Sequence, residues 1–534
     1  MLEKFKAKLL PANVRVEVGD AAAGKCDAVV VAGYQGKRKG EVSYDRTRAR
    51  TVLKHLGPKD FAGGTKDAAL VRTLGKIPAP RLLALGVGRA EDLSVERLRD
   101  FGGRAAARFK GKDLRAVRID VPSASGVSLD AVVEAVAEGI LLALFDLPDF
   151  KGKGAEVERS PGRFVLHLAD KAALAPARRG LARAKAIAKY TNAARLLALL
   201  PSNEKPPPVL ARYLEEVAKS SRLNVTVLDE KALAKRGMNA LLAVGQGSAA
   251  PPRMVVVEYN GGKKGEAPLA LVGKGITFDT GGISLKPTFG PYPMWHMKWD
   301  MTGSAVVVCA AACAAALDLP LNVVAIACLA ENMPSGSAYK PSDVVRAANG
   351  VTIEVVNSDA EGRVVLADGL AHAQSFKPQA IVDVATLTGA IGIALGPRTS
   401  GLFSNSDELA DRLMAAGRKT QDSLWRMPLF DWYDELIESP IADWRNSGGT
   451  PAGAGTGAKF LEKFAGKHPW AHLDIASTAW TDRGKGEVKP PWQPKGTTAT
   501  GVRLLVEAMR AWRSAPKLNR AGGAAGRARG DADD

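Results

Sequence analysis

Three short segments of the chain concentrate polar residues that can do chemistry. VGKGITFDTGGISLKP (272–287) carries Lys274, Asp279 and Lys286 in a glycine-dense stretch that leaves an apolar run. MKWDMTGSA (297–305) places Asp300 just ahead of another apolar run. NSDAEGRVVLADG (357–369) carries Asp359, Glu361 and Arg363 before a helix expected to begin near Val364. If Asp279, Asp300, Asp359 and Glu361 shared one pocket, each carboxylate would raise the pKa of the others. Divalent cations remove that conflict, and bridging carboxylates suit two ions about 3.5–4 Å apart that activate a shared water. Strand-like geometry over Asp359-Ala360-Glu361 would turn both acidic side chains to one side. Glycines around Asp279 let backbone and ligands crowd a small volume. No H-e-x-x-H pairing occurs, so metal would be held mainly by carboxylates, which suits Mn, Mg, Co or Zn without choosing among them.

Each segment also has a plainer explanation. GKGITFDTGG lacks the spacing of a phosphate loop. NSDAEGR alone is equally well an Asx turn with Asp359 or Glu361 serving a helix N-terminus. Ser337 and Lys340 have the S-x-x-K spacing but no companion motif of a serine acylase. His296 lies near Asp300, where it would support a ligand or simply occupy a polar loop.

The elements that must position these residues alternate along the chain. Apolar runs at 27–33, 81–88, 116–121 and 163–168 predict strands, and 129–145 has the period of a helix. Longer apolar runs at 223–229, 253–260, 268–275, 321–330 and 379–387 predict a second, buried sheet, with helices over 302–317 and 364–375. Glycine-rich segments follow many of these strands, where α/β proteins place their sites. The expectation is an α/β chain of two domains. A smaller N-terminal domain would span 1–172, a basic connector helix 173–200 and a larger domain 201–514, with a disordered Gly/Ala-rich tail at 515–534.

Composition narrows the function classes. Hydrophobic residues make up 46% of the 534, no run approaches a membrane span, and the N-terminus turns polar too soon for a secretory signal. Four cysteines without paired spacing point to a cytoplasmic protein, with Cys309 and Cys313 as buried thiols. The net charge of +18 raises the question of DNA. Lys171, Arg178, Arg179, Arg183, Lys185, Lys189 and Arg195 occupy 171–200 without an Asp or Glu, as either a solvated helix face or a nucleic-acid patch.

Asn357-Ser358-Asp359-Ala360-Glu361-Gly362-Arg363 resembles the N-T-D-A-E-G-R hallmark of the M17 leucyl aminopeptidases. GMNALLAVGQGS (237–248), VGKGITFDTGGISLKP, ENMPSGSAYKPSDV (331–344), ATLTGAI (385–391), SPIADWRNSGG (439–449) and PWAHLDIASTAW (469–480) resemble further family segments in family order. The first domain resembles the family only in length and α/β character. The resemblance implies a two-metal exopeptidase that releases N-terminal residues, Leu and other apolar ones preferred, with a mixed sheet flanked by helices in its catalytic domain. It implies Lys274, Asp279, Asp300, Asp359 and Glu361 as metal ligands, with Asp279 and Glu361 shared between two ions. It also implies Lys286 as the group that polarises the scissile carbonyl and Arg363 as the holder of a bicarbonate. Met297, Thr386, Gly389 and Ala476 match positions lining the family's side-chain pocket, although Met and Ala are also ordinary core residues. Peptide substrates and a homohexamer follow from the same likeness, with Mn or Zn as the family's usual ions. Ser358 replaces the hallmark Thr, Thr302 replaces a usual Gly, and TFGPYPMWHMKW (288–299) is longer than the family spacing. The last of these departures bears on the rim of the specificity pocket.

Overall fold

The structure is a computed structural model that describes residues 15–19, 26–38, 41–44, 47–146, 150, 161–168, 170–219, 222–290, 293–481 and 489–519. The chain divides into two compact units, one of residues 1–199 and 481–498, the other of residues 200–480 and 499–534.

The first unit carries β1 (Arg15–Gly19), β2 (Ala28–Gln35), β3 (Val42–Tyr44), β4 (Ala68–Arg72), β5 (Arg81–Gly88), β6 (Val117–Asp120) and β7 (Arg163–His167). They form one mixed sheet in the order β1-β7-β6-β2-β5-β4, with β3 on the edge of β2. Helices α1 (Val95–Phe109), α2 (Leu129–Ala143) and α3 (Leu174–Leu199) cover it. The basic run lies on α3, whose Ala177, Leu181, Ala184 and Ala188 join the core of this unit. The structure corrects the reading of that run as one solvated basic face. Arg195 is fully buried, and its guanidinium donates to Leu142 O, Asn192 Oδ1, Gln493 Oε1 and Thr498 O. Arg183 pairs with Asp130 and Glu134 at 2.7 and 2.5 Å. Arg178, Arg179 and Lys185 remain exposed.

The second unit is built on eight strands. Those that position the site are β8 (Leu223–Leu228), β9 (Arg253–Asn260), β10 (Leu269–Asp279) and β11 (Asn322–Asn332), followed by β12 (Ala380–Ala385), β13 (Ser400–Ser404), β14 (Leu424–Arg426) and β15 (Trp470–Asp474). Their order is β14-β13-β15-β12-β10-β11-β9-β8. The four central strands β15, β12, β10 and β11 run parallel, so their carboxyl ends share one edge of the sheet. Buried on both faces, they read as nearly continuous apolar runs, which is why the sequence shows them plainly. β10 and β11 run on past their expected ends to Asp279 and Asn332, because pairing continues to the polar residues that close them.

One irregularity matters. Lys274 pairs with Cys328 and Ile276 with Ala330, but Asp279 pairs with Asn332, so β10 carries one extra residue between Ile276 and Asp279. Side chains alternate along a strand, and Lys274 and Asp279, five apart, would face opposite ways. The bulge restores the parity and turns both to one face.

Helices α4 (Thr302–Ala316) and α5 (Glu361–Gln374) pack against this sheet. α4 is apolar around its whole circumference and buried from Thr302 through Ala315, as a core helix must be. Its Cys309 and Cys313 are buried thiols, as expected. Met294–Ala316 is the one stretch among the described residues long and apolar enough to cross a membrane, and it is enclosed in this unit. At the tail, Lys517 and Asn519 are tied by backbone bonds to Glu408 and Asn405, whereas 520–534 lie outside the described residues.

Candidate metal centre

The carboxyl edge of the central strands gathers the polar residues. Lys274 lies within β10, Asp279 closes it, Asn332 closes β11, Thr386 follows β12 and Asp474 closes β15. Two further segments reach this edge. Asp300 follows the 3-10 turn Met294–Trp299, and its backbone N–H donates to Met297 O at 3.2 Å. Asp359 and Glu361 come from the turn into α5.

The strand-like geometry expected for Asp359-Ala360-Glu361 is not what forms. Ala360 is the N-cap of α5, and Glu361, not Val364, is its first residue. The turn is closed from inside, since Asp359 N donates to Asn357 Oδ1 at 2.9 Å and Asn446 Oδ1 accepts from Val356 and Asn357 N. A carboxylate at a helix start is also favoured by the helix dipole. Thus the helix-cap and metal-ligand readings of Glu361 describe one placement.

Asp279, Asp300 and Glu361 are buried, and one oxygen from each lies within 4.8 Å of the others. Lys274 Nζ sits among them, 2.9 Å from Asp300 Oδ2 and 2.8 Å from both Glu361 Oε1 and Thr386 O. Lys286 Nζ links Asp279 Oδ2 at 2.9 Å to Asp359 Oδ1 at 2.5 Å, and Asp359 stays partly open at the edge of the cluster. Burial, with neighbouring carboxylates adding to it, pushes Asp300 up to about 8 and Asp359 up to about 7 and raises Glu361. Burial opposes the charge of Lys274 and Lys286, yet the carboxylates beside each ammonium outweigh it and raise both.

This donor set fits divalent cations. Four carboxylates face two ammoniums in a buried volume, an excess of negative charge that hard cations would balance. Asp300 Oδ2, Glu361 Oε1 and Asp359 Oδ1 are buried and accept no well-aligned hydrogen bond, although an ammonium stands near each.

Further side chains hold the donors, and of these Asn332, Tyr339 and Ser284 are not singled out by sequence patterns. Asn332 Nδ2 donates to Asp279 Oδ1 at 2.8 Å and to Ser358 O at 3.0 Å, and Tyr339 donates to the same carbonyl. Thr386 donates to Asp300 Oδ1 at 2.6 Å. Ser358 and Ser284 exchange bonds, the backbone N–H of each donating to the hydroxyl of the other, and Ser358 Oγ donates to Gly281 O. The hydroxyl retained at Ser358 therefore has a defined task. Gly281 and Gly282 adopt φ of +86° and +64°, where a side chain would also strike Ser284 O or Asn332 Oδ1. Gly362 leaves room for Lys274, whose Cε would lie 2.5 Å from an added Cβ.

Arg363 is buried. Its Nη1 donates to Asn446 O at 2.9 Å, while its Nε is buried without a hydrogen-bond partner among the described residues. Burial lowers it to about 10, against the raising effect of Glu361 and Asp474.

The expected pocket residues are spread over three segments. Met297 is buried on the turn before Asp300, Gly389 is exposed at the start of α6 (Gly389–Leu395), and Ala476 is half-buried two residues beyond β15. Thr386 already engages Asp300 and Lys274, which leaves its methyl group to offer a ligand. His296 packs against Trp295 and Trp480, with ring centroids 3.7 and 5.4 Å away.

The chain is similar to known proteins over most of its length. The catalytic-domain model of the cytosol aminopeptidase family matches residues 192–506, and the family's N-terminal domain model matches residues 29–154. A probable cytosol aminopeptidase of Roseiflexus castenholzii is 44% identical over 462 residues, covering 86% of this chain and 93% of that relative. Another, from Geobacter sulfurreducens, is 40% identical over 507 residues, covering 93% of this chain and 99% of the relative. Among solved structures, the bottromycin maturation enzyme BotP superposes with a TM-score of 0.78 at 34% identity, over 91% of this chain and 99% of its own. A second structure is that enzyme in complex with Mn, with the same score and coverage.

Proposed function

Since the chain belongs to the cytosol aminopeptidase family and is a metal-dependent aminopeptidase, we propose that it cleaves peptides with two divalent ions held in the Asp279 pocket. The observation that carries this reading is the convergence of Asp279, Asp300 and Glu361 within 4.8 Å. Lys274, Asp279, Asp300, Asp359 and Glu361 would hold the ions, with Asp279 and Glu361 shared. Manganese is favoured by the Mn complex of the BotP relative, with Zn, Mg or Co as alternatives. When bound, the ions supply Lewis acidity and a water of lowered pKa, and a bicarbonate at Arg363 supplies a proton carrier.

The chain's own residues do the rest. Lys274 would hold an ion through its amine, which requires the ammonium to give up its proton to solvent. The Lys286 ammonium, anchored by Asp279 and Asp359, orients the scissile carbonyl and stabilises the oxyanion that develops on it. Arg363, with Nη1 fixed on Asn446, presents the rest of a buried guanidinium to an anion. Met297, Gly389, Ala476 and the methyl of Thr386 offer small apolar surface to the first side chain of the peptide, which favours leucine and similar residues. Hexameric assembly and work in the cytoplasm extend the family likeness. A DNA-binding role rests on the +18 charge and the basic run at 171–200, of which Arg178, Arg179 and Lys185 are exposed, and requires binding that weakens steeply with salt.

The test is hydrolysis of leucyl-p-nitroanilide and other aminoacyl anilides after EDTA treatment, with Mn²⁺, Zn²⁺ or Co²⁺ restored. Recovery by metal, ranked towards apolar side chains, is the expected result. Folded protein that stays inactive with every metal and side chain overturns the reading.

A further inference from the structure

We propose that Asp474, fully buried and outside the ligand set, is a positioning residue that sets metal affinity by fixing the loop 386–388. The inference rests on the metal reading of the Asp279 pocket.

Its basis is a chain of hydrogen bonds. β12 and β15 lie side by side and parallel, with Ala385 in register with Asp474, so the loop leaving β12 starts beside the Asp474 carboxylate. Asp474 Oδ1 accepts from Leu387 N at 3.1 Å, Thr388 N at 3.4 Å and Ala476 N at 3.2 Å. Its Oδ2 accepts from Thr388 Oγ1 at 2.7 Å. Thr388 Oγ1 accepts in turn from Ile391 N at 3.2 Å, capping α6. One carboxylate thus gathers three backbone N–H groups and a hydroxyl, a demand that suits an acceptor-only group.

The loop so fixed has its other side in the metal pocket. Thr386 O accepts from Lys274 Nζ at 2.8 Å, and Thr386 Oγ1 donates to Asp300 Oδ1 at 2.6 Å. A single residue therefore touches two of the five proposed ligands from opposite chemical sides, as acceptor for one and donor for the other. Its own place is set by the next two residues, both held on Asp474. Partners that orient a ligand from behind are commonly worth about 10–100-fold in metal affinity. Asp474 stands one step further back yet governs two ligands together, and we expect an effect of about ten-fold.

Calorimetric titration of EDTA-treated protein with Mn²⁺ tests this, with wild type beside Asp474→Ala, Thr388→Val and Thr388→Ser. The expected result is about ten-fold weaker Mn²⁺ binding in Asp474→Ala and Thr388→Val, and near wild-type binding in Thr388→Ser, which keeps the hydroxyl. At saturating Mn²⁺ the KM for leucyl-p-nitroanilide should change little while the Mn²⁺ concentration for half-maximal rate rises. A purely structural role would lower the melting temperature and leave Mn²⁺ affinity of the folded protein unchanged, which overturns the proposal. Should Asp474→Ala not fold, the Thr388 pair decides by the same comparison. Wild type that takes up no Mn²⁺ would overturn the metal reading and this inference together, whereas a binding wild type with equally tight variants overturns this inference alone.

Discussion

Asn332 donates its carboxamide to Asp279 Oδ1 at 2.8 Å, joining the last residues of two parallel strands directly across the bulge. The bond leaves Asp279 Oδ2 to Lys286 and so decides which oxygen faces which cation. Asn332→Ala should lower kcat/KM by about ten-fold or more while the protein folds normally, since outer partners of ligands commonly carry effects of that size. Steady-state kinetics across Mn²⁺ concentrations would show it. Unchanged kinetics would mean that Asp279 is oriented without its neighbour.

Glu361 is buried beside Asp279, and its charge costs the metal-free protein free energy. Replacing it with Gln should abolish anilide hydrolysis and weaken Mn²⁺ uptake. The melting temperature measured in EDTA should hold or rise, because one repelling carboxylate has gone. A large fall in that temperature would contradict the electrostatic picture.

Lys286 lies in contact with two carboxylates, and a neutral side chain there removes both pairs. Lys286→Met should cut kcat by about 10²–10³, the usual cost of losing one donor to a developing oxyanion. Its effect on KM should be far smaller. A variant altered in KM alone would assign Lys286 to binding.

Metal uptake should release protons. Asp300 and Asp359 have pKa values raised to about 8 and about 7, and Lys274 is charged until a cation displaces its proton. Raised carboxylate values mean that protons compete with metal below those values. Mn²⁺ affinity should therefore climb as pH rises through 6 to 8. Titrations in buffers of different ionisation enthalpy would count the protons, and a pH-independent affinity with no release would refute the account.

Gly362 stands where an added methyl would meet Lys274 Cε at 2.5 Å and Nζ at 2.6 Å. Gly362→Ala should displace the lysine and cost about 1–3 kcal/mol of stability, as overpacking in a filled interior does. Thermal melts with and without Mn²⁺ would separate the two effects. The gap between the two curves should shrink relative to wild type.

The buried sheet was readable because its strands are apolar on both faces. The runs predicted at 253–260 and 321–330 match β9 and β11 to within two residues, and 379–387 contains β12. What escaped was non-local. Asn332 meets Asp279 across 53 positions and Asp474 meets Thr388 across 86, and no periodicity in a single chain records such a contact. A polar residue ending an apolar run was the one available signal for Asn332 and Asp474. Asp359-Ala360-Glu361 misled because spacing two residues apart suits a strand, while the Asn357 and Asn446 side chains close a turn there instead.

The extra residue in β10 makes the distance from Lys274 to Asp279 a matter of odd and even. Loss of a single codon at 277 or 278 would leave the two residues four apart, an even spacing that a plain strand already turns to one face. Straightening the strand at its full length, so that all five steps alternate, would instead rotate Asp279 to the far face of the sheet while every acidic and basic residue of the centre stayed in the same order. Such a product would still satisfy any motif search while being unable to assemble its centre. The bulge itself, and not any one of the residues that the centre uses, therefore separates a working centre from a silent copy that looks the same on paper.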